Sequence, residues 1–155
     1  MDESLDRLTQ KLPTGIYVVT AGRGDGAHVL THTWLTQITT DPPRVMIGIR
    51  PYRKQHELLK PGEPFCVHLL GEDQLDLAVL YTDKEQPVGP EFERREGAAP
   101  LRRDVAAYLD CETEGFTTVG DHDMFVGRVV AGDQLRDVAI LTTAHFGDPY
   151  RIEAT

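Results

Sequence analysis

The stretch LTHTWLTQITTDPPR, residues 30–44, places five threonines, a histidine, a glutamine and the chain's only tryptophan between positions 31 and 40, then breaks at Asp41-Pro42-Pro43. A half-buried strand ordinarily fills its β-branched positions with Val and Ile. Threonine keeps the stiffness of a β-branched residue and adds a hydroxyl, so the run reads as a rigid strand that offers hydrogen-bond donors and acceptors.

Working outward, GIYVVTA (15–21) is the expected partner strand, joined to the run by the glycine-rich turn GRGDG (22–26). Beyond the proline break, RVMIGI (44–49) and PFCVHLL (64–70) have strand composition, with a helix expected over 52–62 between them. Leu75, Ala78, Val79 and Thr82 recur at helical spacing within 72–83. Leu5, Leu8 and Leu12 do the same before Pro13, which predicts a short N-terminal helix packed on the domain. Residues 84–104 are polar and rich in Pro, Gly and charge, and are expected to form a long loop. Val105, Ala107, Leu109 and Cys111 alternate, so 105–113 is a strand; GFTTVGDHD (115–123) reads as a turn, and 124–132 and 137–147 as further strands. About six strands with two or three short helices interspersed favour a mainly β, antiparallel barrel over a doubly wound parallel sheet.

The 155 residues suit one domain, 1–155, with 40% hydrophobic and 26% charged residues as in a soluble globular chain. No apolar run approaches the roughly 20 residues of a membrane helix. The acidic N-terminus lacks the order of a secretory signal, and the cytoplasm is the expected location. Cys66 and Cys111 have neither C-x-x-C spacing nor scaffold density and are expected to be buried thiols. A net charge of −9 argues against non-specific nucleic-acid binding. Basic residues nevertheless cluster at Arg50, Arg53 and Lys54 and again at Arg94, Arg95, Arg102 and Arg103, which suits a small phosphate-bearing ligand. Of six histidines, His28 and His32 share one strand face with Trp34, a weak case for metal or haem; no G-x-S-x-G elbow is present, and the glycine runs lack the strand-to-helix context of a dinucleotide loop.

Four segments in order, TGIYVVTA (14–21), TTDPPRVMIGI (39–49), PFCVHLLGEDQLDLA (64–78) and GDHDMFVGRVV (120–130), resemble the flavin reductase-like family, whose fold is the FMN-binding split barrel. The resemblance implies a six-stranded Greek-key split barrel, a homodimer, and non-covalent FMN, with FAD possible, reduced by NADH or NADPH. It places Thr31, His32, Thr33, Trp34, Thr36, Gln37 and Thr39 along the isoalloxazine, where hydroxyls and strand amides would meet the ring's polar edge. Arg50, Arg53, Lys54 and Gln55, at a helix start, would hold the phosphate. His122 of Gly120-Asp121-His122 would lie near flavin and nicotinamide, positioning and polarising them. Electrons would pass to free flavin, a partner monooxygenase or another acceptor. The chain departs from the family's usual pattern at Val29, Trp34 and His68. Trp34 either stacks beside the flavin or fills its place, so two alternatives stay open: a flavin- or haem-binding module without NAD(P)H turnover, and a barrel retained for interaction.

Overall fold

The computed structural model describes residues 2–82 and 84–146. Helix α1 (Glu3–Thr9) is capped by Asp2, whose carboxylate accepts from the Ser4 amide at 2.8 Å. It forms as expected but buries none of its residues, and Leu5, Leu8 and Leu12 stand exposed beside it, so the expected packing on the domain is corrected.

Strands β1 (Tyr17–Ala21) and β2 (His28–His32) make a hairpin across a 3-10 turn at Gly24–Gly26. The opening stretch does not form one strand: β2 ends at His32, the chain bends through Thr33 and Trp34, and β3 runs Leu35–Thr40. After the Asp41-Pro42 corner, β4 (Pro43–Ile49) returns along β3. Then follow α2 (Lys54–Leu58), β5 (Pro64–Leu69), α3 (Leu75–Leu80), β6 (Gln86–Pro87), β7 (Glu93–Arg95), β8 (Ala98–Leu101), β9 (Ala107–Val119) and β10 (His122–Gln134).

Eight strands form one antiparallel sheet in the order β3-β4-β10-β9-β5-β1-β2-β6, with β7-β8 as a separate pair. The mainly β antiparallel class is as expected, with more strands than six. Residues 84–104 are not one loop, since β6, β7 and β8 lie within them. Residues 115–119 and 122–123 belong to the β9–β10 hairpin, and the turn contracts to Gly120-Asp121. Residues 137–146 make two isolated bridges and a 3-10 turn where a strand was expected; residue 147 lies outside the described residues.

Alternation along β1 explains the core. Val19 and Ala21 pack with Ile47, Ile49, Phe65 and Phe125, bringing strands far apart in the sheet into one cluster, so the sheet curls around it. Val18 packs the other way, with Val29, Ala78, Tyr81 and Phe92. Phe65 lies so close to β10 that a Cβ at Gly127 would overlap its ring. Both cysteines are free and buried, as expected. No helix among the described residues is long and apolar enough to cross a membrane.

His32 and His68 are fully buried, and burial pushes each imidazole down to about 4. His68 donates through Nδ1 to the Val18 carbonyl at 2.9 Å and accepts the Arg102 amide on Nε2 at 3.0 Å, roles that require the neutral ring. Below pH 6.5 the unfolded chain takes up protons that the folded chain refuses, so stability falls as pH is lowered from 6.5 towards 4. The expected slope is about 1.4 kcal/mol per pH unit for each histidine. Urea unfolding across this window checks it, and His68→Asn is expected to halve the histidine contribution.

Candidate active site

Glutamine 55 fixes where α2 sits. Its side-chain amide nitrogen donates to the Val19 carbonyl at 2.8 Å and the His28 carbonyl at 3.0 Å, so its oxygen is the acceptor for His32 Nε2 at 2.8 Å. One buried side chain thus ties α2 to β1 and β2 and sets the tautomer of His32. The proton is on Nε2, leaving Nδ1 as an acceptor that is buried and has no hydrogen-bond partner. Burial is the main cause of the depressed His32 basicity; the nearby charges of Arg53 and His122 add to it, against the Gln55 hydrogen bond. Arg53, the residue before α2, is 9% exposed, and its Nε–H is likewise buried without a partner.

The bend at Thr33-Trp34 and the tip of the β9–β10 hairpin meet beside this cluster. The Trp34 carbonyl accepts the Gly48 amide at 2.8 Å, which anchors the bend to β4. The indole is half-exposed, and its ring lies 4.2 Å from the imidazole of His122, tilted by 49°. Glycine at position 48 makes room there, since a Cβ would press on the Met124 sulfur at 3.2 Å. His122 is buried and donates through Nδ1 to Asp121 at 2.9 Å, and Arg50 donates to the other Asp121 oxygen at 3.2 Å. The His122 hydrogen bond, then the Arg50 charge, hold the Asp121 carboxyl below its usual range.

His32, Trp34, Arg50, Arg53, Gln55 and His122 therefore converge, with Thr33 buried in the bend between them. The other expected residues lie apart. Thr31 is buried and donates to the Ala78 carbonyl at 2.7 Å, fastening β2 to α3. Thr36 and Gln37 are exposed on β3, and Thr39 donates to the Pro42 carbonyl at 2.6 Å. Thr39 pairs with Arg44, roughly 17 Å along β4 from Ile49 at about 3.4 Å per residue. Lys54 is on the surface, bonded to Glu57 at 2.9 Å.

One participant carried no signal in the sequence. The Glu85 carboxylate accepts the Lys54 and Gln55 amides, both at 2.7 Å, so the chain's own anion caps α2 where a phosphate was expected. Asp121 was legible within Gly120-Asp121-His122, but not its bridge to Arg50. A cavity of about 440 Å³ opens on another side of α2, lined by His56, Leu59, Lys60, Pro61 and Phe116 among others, and includes none of the expected site residues.

A flavin demands aromatic faces, both donors and acceptors for its ring edge, and cationic charge for its phosphate. Trp34 and His122 would supply the first, His32 Nδ1 an acceptor for the second, and the Arg53 guanidinium, with its unpartnered Nε–H, the third. The residues fit the group.

Residues 9–151 match the flavin reductase like domain, and the chain belongs to that family. It is 37% identical over 121 residues to the NADH-dependent flavin reductase StyB of Pseudomonas fluorescens, a match covering 76% of this chain and 70% of that protein. The fold is similar to the styrene monooxygenase flavin reductase of Pseudomonas putida S12, with TM-score 0.76 and 30% identity over 89% of this chain and 90% of that one. It is similar also to the NADH:FAD oxidoreductase SgcE6 of Streptomyces globisporus C-1027, solved with NAD and FAD fragments, with TM-score 0.79 and 26% identity over 90% of this chain and 86% of that one.

Replacing Gln55 with Ala strands His32 Nε2–H and two carbonyls, each costing about 1–3 kcal/mol when left unpaired in the interior. At least 3 kcal/mol in total is expected by that measure, or a fall in Tm of roughly 6–12 °C in calorimetry. Lys54→Ala is expected to leave Tm nearly unchanged.

Proposed function

We propose that this protein is an NADH-dependent flavin reductase that binds FMN, or FAD, at the Trp34–His122 end of the sheet and passes electrons to free flavin or a partner monooxygenase. The observation that carries this reading is the pair of buried unpartnered atoms, His32 Nδ1 and Arg53 Nε, beside the Trp34–His122 ring pair in a chain of this family. A bound flavin would supply the acceptor for hydride from NADH.

The chain's own residues orient and exclude water; none needs to be a nucleophile. Trp34 offers its indole as a stacking face, and His122 is oriented by its Nδ1 hydrogen bond to Asp121. His32 stays neutral at physiological pH, so its Nδ1 remains an acceptor. Arg53 answers the phosphate and Arg50 keeps the hairpin tip in place through Asp121. Thr33 is held to be a wall residue of the same site, and Gln55 serves it by seating α2 and His32; Thr31, Thr36, Gln37, Thr39 and Lys54 stand apart from it. We further propose a cytoplasmic homodimer: the uncovered leucines of α1 support the second copy, and two unpaired cysteines support a reducing compartment.

Stopped-flow mixing of the flavin-loaded protein with NADH tests the activity. Prompt bleaching of the oxidised flavin band is expected; a band that persists would make the protein a flavin carrier instead. Arg53→Ala is expected to weaken FMN binding about tenfold, the loss of one charge-assisted contact. Glu85→Gln is expected to tighten it, because an anion at the α2 start opposes a phosphate; fluorescence titration reads both.

A further inference from the structure

Adjacent residues of a strand point to opposite faces, so while His122 faces Trp34, Asp123 faces inward. Its Oδ1 accepts from Thr118, the residue paired with it on β9, at 2.6 Å. Its Oδ2 accepts from His56 Nε2 on α2, also at 2.6 Å. The His56 ring stands edge-on to Phe125 at 5.0 Å and lies 5.2 Å from Phe116. His56 directly follows Gln55, and Asp123 directly follows His122.

The surroundings give this pair its importance. Strand β9 is paired with β5 only from Ala107 to Glu112, so residues 114–119 have β10 on one side and no strand on the other. His56 of α2 reaches Phe116 at that opening, and the 440 Å³ cavity lies between the end of α2 and Gly115-Phe116. On this side the helix therefore meets the hairpin chiefly through His56, by its ring against Phe116 and Phe125 and by its hydrogen bond to Asp123.

We propose that His56 and Asp123 form a positioning pair that sets the spacing between the two halves of the site, Arg53 and Gln55 on the α2 side and His122 on the hairpin side. The inference rests on the flavin reductase reading, and neither residue is catalytic. A displacement of about 1 Å is enough to lower turnover substantially, by up to about a hundredfold.

The test compares wild type with His56→Ala, Asp123→Ala, the double variant and His56→Gln, whose amide can again donate to Asp123. At temperatures well below each Tm, His56→Ala is expected to raise the KM for FMN and lower kcat, each about tenfold, with His56→Gln recovering to within about threefold. The double variant is expected to lose no more than the worse single variant, as for residues acting as a unit. Emission of Trp34, the chain's only tryptophan, is expected to shift in the ligand-free alanine variants and return in His56→Gln. A lower Tm with kcat, KM and Trp34 emission at wild-type values would overturn the proposal, as would absence of rescue by Gln. If Asp123→Ala does not fold, the His56 variants decide. A wild type that does not oxidise NADH with flavin refutes the functional reading, and Trp34 emission then still decides on the pair.

Discussion

Three hydrogen bonds converge on the buried amide of Gln55, and the arrangement of the site depends on them. The amide nitrogen is committed to carbonyls on β1 and β2, so its oxygen must accept, and His32 must place its proton on Nε2. An exposed glutamine would impose nothing of the kind. In a dry interior the cost of an unmade hydrogen bond turns a local contact into a rule for its neighbours. It seats a helix of five residues, too short to be stable alone, and it keeps a neutral acceptor beside a buried guanidinium.

The second constraint is the meeting of the Thr33-Trp34 bend with the hairpin tip. Strand β3 does not continue β2, since β3 stands first and β2 seventh in the sheet order, and the bend carries the chain between them. That crossing brings Trp34 over His122, with the glycine at 48 leaving room for the Met124 side chain nearby. Trp34, read from the resemblance as a departure from the family pattern, thus sits against His122, the histidine expected near the cofactor.

Much of the fold was legible because β1, β4 and β5 are short apolar, β-branched runs, and in β1 and β5 both faces are buried. Legibility failed where burial did not follow alternation. Phe116 and Val119 are exposed on a stretch with a strand on only one side, so 115–123 resembled a turn. Residues 137–146 alternate acceptably but use Leu141 to fill the α3 cluster and make only two bridges. The leucines of α1 promised an inner face that the chain does not cover. For the site, residue types near 31–34, 50–55 and 122 could be read from the pattern. Partnership could not: that Thr31 would be consumed by Ala78, or that Glu85 would cap α2 from 30 residues away, depends on contacts distant in sequence.

These constraints converge on one claim, that a flavin binds against Trp34. Titrating the protein with FMN while following tryptophan emission tests it directly, because the chain has a single tryptophan and it is half-exposed. Saturable quenching at one FMN per chain, with its midpoint moved about tenfold higher by Arg53→Ala, is the predicted result. Emission that does not change up to millimolar FMN, from a protein purified colourless, would contradict the account.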